Sequence, residues 1–376
     1  MPNFILLITI FLLTAAGING QHSIRYEVWQ KLVPSELLPK EIKPLNGNNN
    51  IDAIIFKDRY FVAFRTAPSH FASRKTKIYV MSSKDFKNWE FETCYKVGAD
   101  MREPRFAAFR DSLFFYFFEG GTNMFRFQPR KVWMSCSSGN KKWTEKFKLE
   151  MDGYVPWRFR VRNDSLYLSA YYGVDIYKNH NSPDLRLFLS RDGKNFNPIS
   201  GSPQVAVKGA EEGEFEFDKD GNLWATVRLE GSGSYIAYAT KDSLENWKKI
   251  FGKHKYDSAL MLNHKETIYV FARRHLKGEA TKTEFPNKAE RRKNLIRYSL
   301  SKKKTAMYRL NKEKMILEHL FDFPSTGDNA FPAIAKINEN QYYLLNYSND
   351  IHKRDLNWIS GQLKKTNIYF TKLTIE

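Results

Sequence analysis

The chain has 376 residues, with 60 Lys plus Arg against 41 Asp plus Glu, a formal net charge of +19. Two cysteines are too few to frame a disulfide scaffold, and beyond the N-terminus no apolar stretch is long enough to cross a bilayer. A basic balance of this size points to anionic partners; no recognised nucleic-acid module accompanies it.

The first element is FILLITIFLL, followed by Thr14-Ala15-Ala16-Gly17. A short apolar run before small residues reads as a secretory signal over 1–20, which leaves 21–376 as one domain of a secreted protein. Ile24–Leu32 comes next, rich in aromatic and β-branched residues. Six copies of one pattern follow: an apolar strand, a polar turn, a second apolar strand, a gap and a third strand. Their turns fall at Asp58, Asp111, Asp164, Asp220, Lys265 and Glu339, a recurrence of roughly 50 residues that marks a β-propeller. The first copy pairs IDAIIF with YFVAFR, and the sixth pairs FPAIAKI with QYYLLNY. The expected fold is therefore all-β, a six-bladed propeller. Its last copy ends after three strands, so Ile24–Leu32 is expected to supply the outer strand and close the ring. In copy five NLIRYSLSKKKT is expected as the third strand, with a short helix near Lys312–Leu320 and a solvated loop over the basic Lys277–Lys304 cluster. Cys94 and Cys136 fall on neighbouring blades, as one bridge or two buried thiols. Sequons mark Asn163, on a hairpin turn, and Asn346, at the end of a strand, as glycosylation sites.

A propeller turns the start of each first strand toward its central channel. Polar residues stand there in all six copies: Asp52, Arg102-Glu103, Trp157-Arg158, Glu212 with Glu214, Asp257, and Asp328-Asn329. The ends of the second strands add Arg65, Arg228, Arg273 and Tyr347, and His70 lies close behind Arg65. Carboxylates held near arginines divide into acid and base roles through shifted pKa values, which suits binding and cleavage of an acidic or polyhydroxylated sugar. No His, Cys or carboxylate cluster has metal-ligand spacing, and no phosphate loop or nucleophile elbow occurs, so no metal and no cofactor is expected. Trp89, Trp143, Trp247 and Phe196 recur at matching sites and read as blade packing.

The segments SSKDFKNW, SRDGKNF and TKDSLENW look like degenerate Asp-boxes, and with FRTAPSH, DMREPRF and TGDNAFPAI they give the chain a resemblance to the sialidase superfamily. That resemblance implies a glycoside hydrolase with a tyrosine nucleophile paired to a glutamate, an acid/base aspartate and three arginines for the substrate carboxylate. It implies Glu212 and Tyr347 as the pair, Asp100 as acid/base, and Arg228, sixteen residues after Glu212, as one arginine. Arg65, Arg102, Arg273, His70, Trp157, Arg158 and Asp328 are the further expected substrate contacts. The chain departs from the family at Asp52, where a first arginine motif is missing. A second resemblance, to arabinanase- and invertase-type propellers, implies a carboxylate triad of Asp52, Glu103 and Glu212 or Glu214. The alternative to either enzyme is a non-catalytic, basic extracellular propeller that binds glycans or other anionic polymers.

Overall fold

The computed structural model describes residues 23–124, 127–174 and 184–376. The expected signal over 1–20 lies outside the described residues. Among them are six antiparallel sheets, five of four strands and one of five. The inner strands are Gly47–Phe56, Asp100–Phe109, Tyr154–Arg162, Ala210–Phe217, Asp257–His264 and Ala330–Lys336. Each packs on its neighbour, and the sixth packs on the first, so the sheets form a closed six-bladed β-propeller. Its second strands are nearly continuous apolar runs, Tyr60 to Phe64 and Leu113 to Phe118 among them, buried on both faces between adjacent blades.

The sixth blade closes as its missing strand requires. Ile24–Tyr26 and Gln30–Val33 both pair with Asn367–Ile375, with Ile24 opposite Ile375 and Gln30 opposite Phe370. Trp29 anchors the join edge-on against Phe323, 5.6 Å between ring centres. On the other side of the blade, Phe86 stacks on Tyr343 at 3.8 Å and welds blade one to blade six. Removing 23–33 would bare the edge of Asn367–Ile375 and empty the Trp29 socket. Loss of the Trp29 side chain alone is expected to cost about 3–5 kcal/mol. Urea unfolding of the Trp29→Ala chain measures this; a midpoint matching the parent would show that the Trp29 anchor is dispensable.

Blade five differs from the expected reading. Asn294–Ser299 is not strand but the end of a helix, Lys288–Ser299, and the third strand is Lys303–Asn311. Asn287 accepts from the Glu290 backbone N–H while the Glu290 side chain accepts from Asn287 N–H, so a capping box starts the helix inside the supposed loop. The helix expected near Lys312–Leu320 is instead a strand, Ile316–Phe323, because its backbone completes the ladder along Lys303–Asn311.

The Asp-box turns are structural. Asp85 accepts from the backbone N–H of Lys87 and Asn88 at 2.9 and 2.8 Å, and Asp192 does the same for Lys194 and Asn195, at 2.8 Å each. Cys94 and Cys136 are both free thiols, so the bridge between blades is not formed. Asn163 is exposed on its turn. Asn346 is 1% exposed and its side-chain oxygen accepts from the Thr305 hydroxyl, so a glycan has no access there.

Candidate functional site at the hub

All six inner strands carry the same distortion. The ladder to the second strand slips between Asn49 and Ile51, Arg102 and Arg105, Pro156 and Arg158, Glu211 and Glu214, Asp257 and Leu260, and Ala330 and Ala333. Such β-bulges release a residue from the ladder and re-aim its side chain. In five blades that residue is left-handed without being glycine: Asn50 (φ 45°), Glu103 (50°), Glu212 (49°), Ser258 (51°) and Phe331 (52°). Strain of this kind persists only where the surroundings enforce it, and it clusters at functional sites. Trp157 occupies the sixth place.

Two of these residues fill the hub rather than line it. Trp157 from blade three meets Phe331 from the opposite blade, ring centres 5.4 Å apart. The Arg105 guanidinium lies 5.0 Å from the Trp157 ring and 5.7 Å from Phe331. Trp157 is 1% exposed and so plugs the hub, where a substrate contact was expected of it. Beyond the plug, residues downstream of the bulges line a cavity of about 290 Å³. There Arg158 reaches Glu214 at 2.6 Å and Asp52 at 3.4 Å, and Asp52 accepts the Phe106 N–H at 2.7 Å. Asp52, Arg158 and Glu214 thus tie blades together on the far side of the plug from Tyr347. Of the expected triad, Asp52 and Glu214 share Arg158, while Glu103 is held by Asn50 and Arg105.

On the mouth side a polar network spans blades one, two, four, five and six. Tyr347 donates to Asp328 Oδ1 at 2.9 Å, while Asp328 Oδ2 lies 2.7 Å from His70 Nδ1. Arg273 donates to the Tyr347 phenol oxygen at 3.3 Å and to the Asn329 carbonyl at 2.7 Å. Burial would raise Asp328, but His70, Arg273 and the Tyr347 hydroxyl outweigh it, so the carboxyl is held below its ordinary value and stays ionised. Burial, with the Asp328 charge, pushes Tyr347 well above the ordinary tyrosine value. His70 is lowered by burial despite Asp328, so it is neutral near pH 7 with Nδ1 as the donor. The tyrosine partner is therefore Asp328. Glu212, expected in that role, is held by Arg228 and by the Ser258 N–H at 2.7 Å.

Arg228 is the most heavily engaged cation. It contacts Glu211 at 2.9 Å, Glu230 at 2.5 Å and Asp257 at 3.0 Å, in addition to Glu212. Lys255 adds contacts to Glu230 at 3.0 Å and Asp257 at 3.5 Å. Two cations in direct contact with four carboxylates leave negative charge over. Burial drives Glu211 well above the usual carboxylate range and raises Glu212 as well.

Asp100 is ill suited to give up a proton, because Arg65 and Arg102 outweigh its burial and hold it below the ordinary carboxylate value. It is fully buried between Arg65 and Arg102, both at 2.6 Å, with the Thr76 hydroxyl at 2.8 Å. Glu103 is the better candidate. It sits on a bulge, accepts from the Asn50 amide at 3.0 Å and from Arg105 at 3.2 Å, and is pushed up to about 7. Burial is the largest cause; the nearby Glu212 charge adds to it, and Arg105 and Arg102 oppose it. A carboxyl that titrates near neutrality is suited to proton transfer.

Sequence reasoning missed Tyr298 and Trp358. Tyr298, on the blade-five helix, donates to Asp257 and lies 5.3 Å from Trp358; Trp358 in turn lies 5.6 Å from the Arg273 guanidinium. Both come from insertions between the second and third strands of blades five and six, where no repeat position announces them. Among the described residues no group of three His, Cys, Asp or Glu is placed to hold a metal ion.

No protein-family model matches the chain, and no curated protein sequence does. Solved structures match its fold. A *Dyadobacter fermentans* protein of unknown function superposes with a TM-score of 0.66 at 12% identity, over 94% of this chain and 99% of that one. *Trypanosoma rangeli* sialidase in complex with sialic acid gives 0.62 at 10% identity, over 87% of this chain and 54% of the enzyme. A Hadza microbial sialidase gives 0.56 at 9% identity, over 86% of this chain and 65% of that one. The chain thus has a sialidase-like propeller fold and spans about half the length of the trypanosomal enzyme.

Proposed function

We propose that the protein is a secreted glycoside hydrolase that takes a terminal sugar at the mouth of the hub. The observation that carries this reading is the Tyr347 phenol oxygen, set between the ionised Asp328 and the Arg273 guanidinium. Asp328 accepts the phenol proton as the oxygen attacks the anomeric carbon, and Arg273 stabilises the developing negative charge. Glu103, protonated below about pH 7, gives its proton to the departing glycosidic oxygen. Water then cleaves the tyrosyl–sugar bond, with the Glu103 carboxylate taking its proton and the phenol recovering the one lent to Asp328. The reaction retains configuration, because two displacements occur at one carbon.

An acidic sugar fits the cations at this end. Arg273 spends its donors on carbonyl and phenol oxygens rather than on a carboxylate, and the Arg102 side chain, paired with Asp100, is 18% exposed. Asn163 is the glycosylation site that this reading retains. No helix among the described residues is long and apolar enough to cross a membrane.

Fluorogenic sialosides and arabinosides test the proposal. Turnover is expected with kcat/KM falling as pH rises through about 7, where Glu103 loses its proton. Glu103→Gln should abolish that limb together with most of the rate. The same residue has a stability signature. A carboxyl raised in the fold favours folding below its ordinary 4.5, and that contribution is lost as pH rises toward 7. Glu103→Gln should flatten that slope whether or not the protein turns over. A second reading, a glycan-binding propeller without catalysis, is favoured by the plug and by the saturation of Arg65 and Arg228 with carboxylates. Retained binding on a glycan array with no hydrolysis of any glycoside would establish it.

A further inference from the structure

A second concavity lies away from the hub. A cavity of about 1230 Å³ opens between blades five and six. Lys277 and Lys302 face it from blade five, Lys353, Arg354, Lys364 and Lys365 from the loop between the second and third strands of blade six, and Lys31 from the closing strand. All seven are exposed. Two carboxylates share the lining, and both have partners: Asp355 has Lys304 at 3.1 Å and Asp350 has Lys353 at 4.0 Å. The cations therefore outnumber the anions in a space large enough for several sugar rings. Asn357, Ser360 and Asn367 stand among them as neutral polar groups.

The concavity is built, not an accident of loose side chains. Asn349 at its floor donates to the carbonyls of Gly361 and Lys365, at 3.1 and 2.8 Å, and its oxygen accepts the Asp328 N–H at 2.8 Å. Lys302 pairs through its backbone with Asn357, joining the two walls. The loop is thus pinned at both sides, and its lysines converge from three segments far apart in the chain.

We propose that this cavity is a binding site for a sulfated polysaccharide, separate from the hub and independent of any activity there. Flexible ammonium groups around a trough suit a chain of closely spaced sulfates, and the neutral polar groups suit the hydroxyls between them. No aromatic side chain lines the cavity, so it lacks the stacking surface that single-stranded nucleic acid uses. Its concave form also disfavours a flat anionic bilayer.

The test uses the full chain, with heparin and dextran sulfate as probes. Binding should weaken steeply with salt, since each anionic group contacted releases counterions. The variant Lys302→Glu, Arg354→Glu, Lys364→Glu, Lys365→Glu is expected to lose about 100-fold or more in affinity and to show a shallower salt dependence. A control reversing Lys288, Arg292 and Lys293 on the blade-five helix should change affinity by less than about threefold. Both variants should keep the parental melting temperature, because every reversed side chain is exposed. An equal loss in the control would show that net charge alone binds the polymer and would overturn the site. So would tighter binding to a thymidine oligonucleotide or to phosphatidylserine vesicles than to heparin. Uncharged dextran should not bind.

Discussion

Tyr347→Phe is expected to lower kcat by roughly 10³-fold or more while leaving sugar binding in place. The phenol supplies the attacking oxygen, and nothing else at the mouth can replace it: Glu212 is committed to Arg228 and Ser258, and Asp100 to Arg65 and Arg102. The variant also removes a buried hydrogen bond from Asp328, which should cost about 1–3 kcal/mol of stability. Kinetics must therefore be read on folded protein, with melting followed in parallel. Asp328→Asn separates the roles, because it keeps a partner for the phenol but removes the base. A loss of rate in both variants supports the assignment. Full turnover in Tyr347→Phe would exclude Tyr347 as nucleophile.

The second large effect concerns folding. Arg228→Met should destabilise the protein by about 3–5 kcal/mol, the cost of removing one partner from a buried ionic cluster. Glu211 and Glu212 would then lose their ion pair, while Glu230 and Asp257 would keep Lys255. The pH dependence gives the sign. Without the guanidinium the folded-state values of these carboxyls rise. Their contribution is then present below the ordinary carboxylate range and lost as pH climbs through the raised values. The deficit against the parent should be smallest near pH 4 and widest near neutrality. Chemical denaturation at several pH values measures it; a deficit independent of pH would mean that packing, not charge, is what Arg228 provides.

The ring was legible in the chain because hairpins repeat locally and their second strands are nearly continuous apolar runs. The missing strand at the end of copy six predicted the role of Ile24–Leu32 by the same logic. Glu103, Glu212, Arg273, Asp328 and Tyr347 were recognisable because polar residues stand out at repeat-equivalent positions. Their pairing was not, since contacts between residues 70, 328 and 347 depend on how blades meet. The blade-five helix was hidden for a different reason. Of Lys288–Ser299 only Tyr298 is buried, so no apolar stripe marks it. Trp157 was misjudged because position alone does not tell a side chain that lines a channel from one that stops it.

The sixfold bulge bears on how such a hub changes over time. The five left-handed positions hold four kinds of tenant, amide, carboxyl, hydroxyl and phenyl, on the same bent backbone. The kink belongs to the sheet, so one socket can be refitted without re-registering its blade or disturbing the other five. New chemistry can therefore be assembled here one vertex at a time, in a hexagon that keeps its shape.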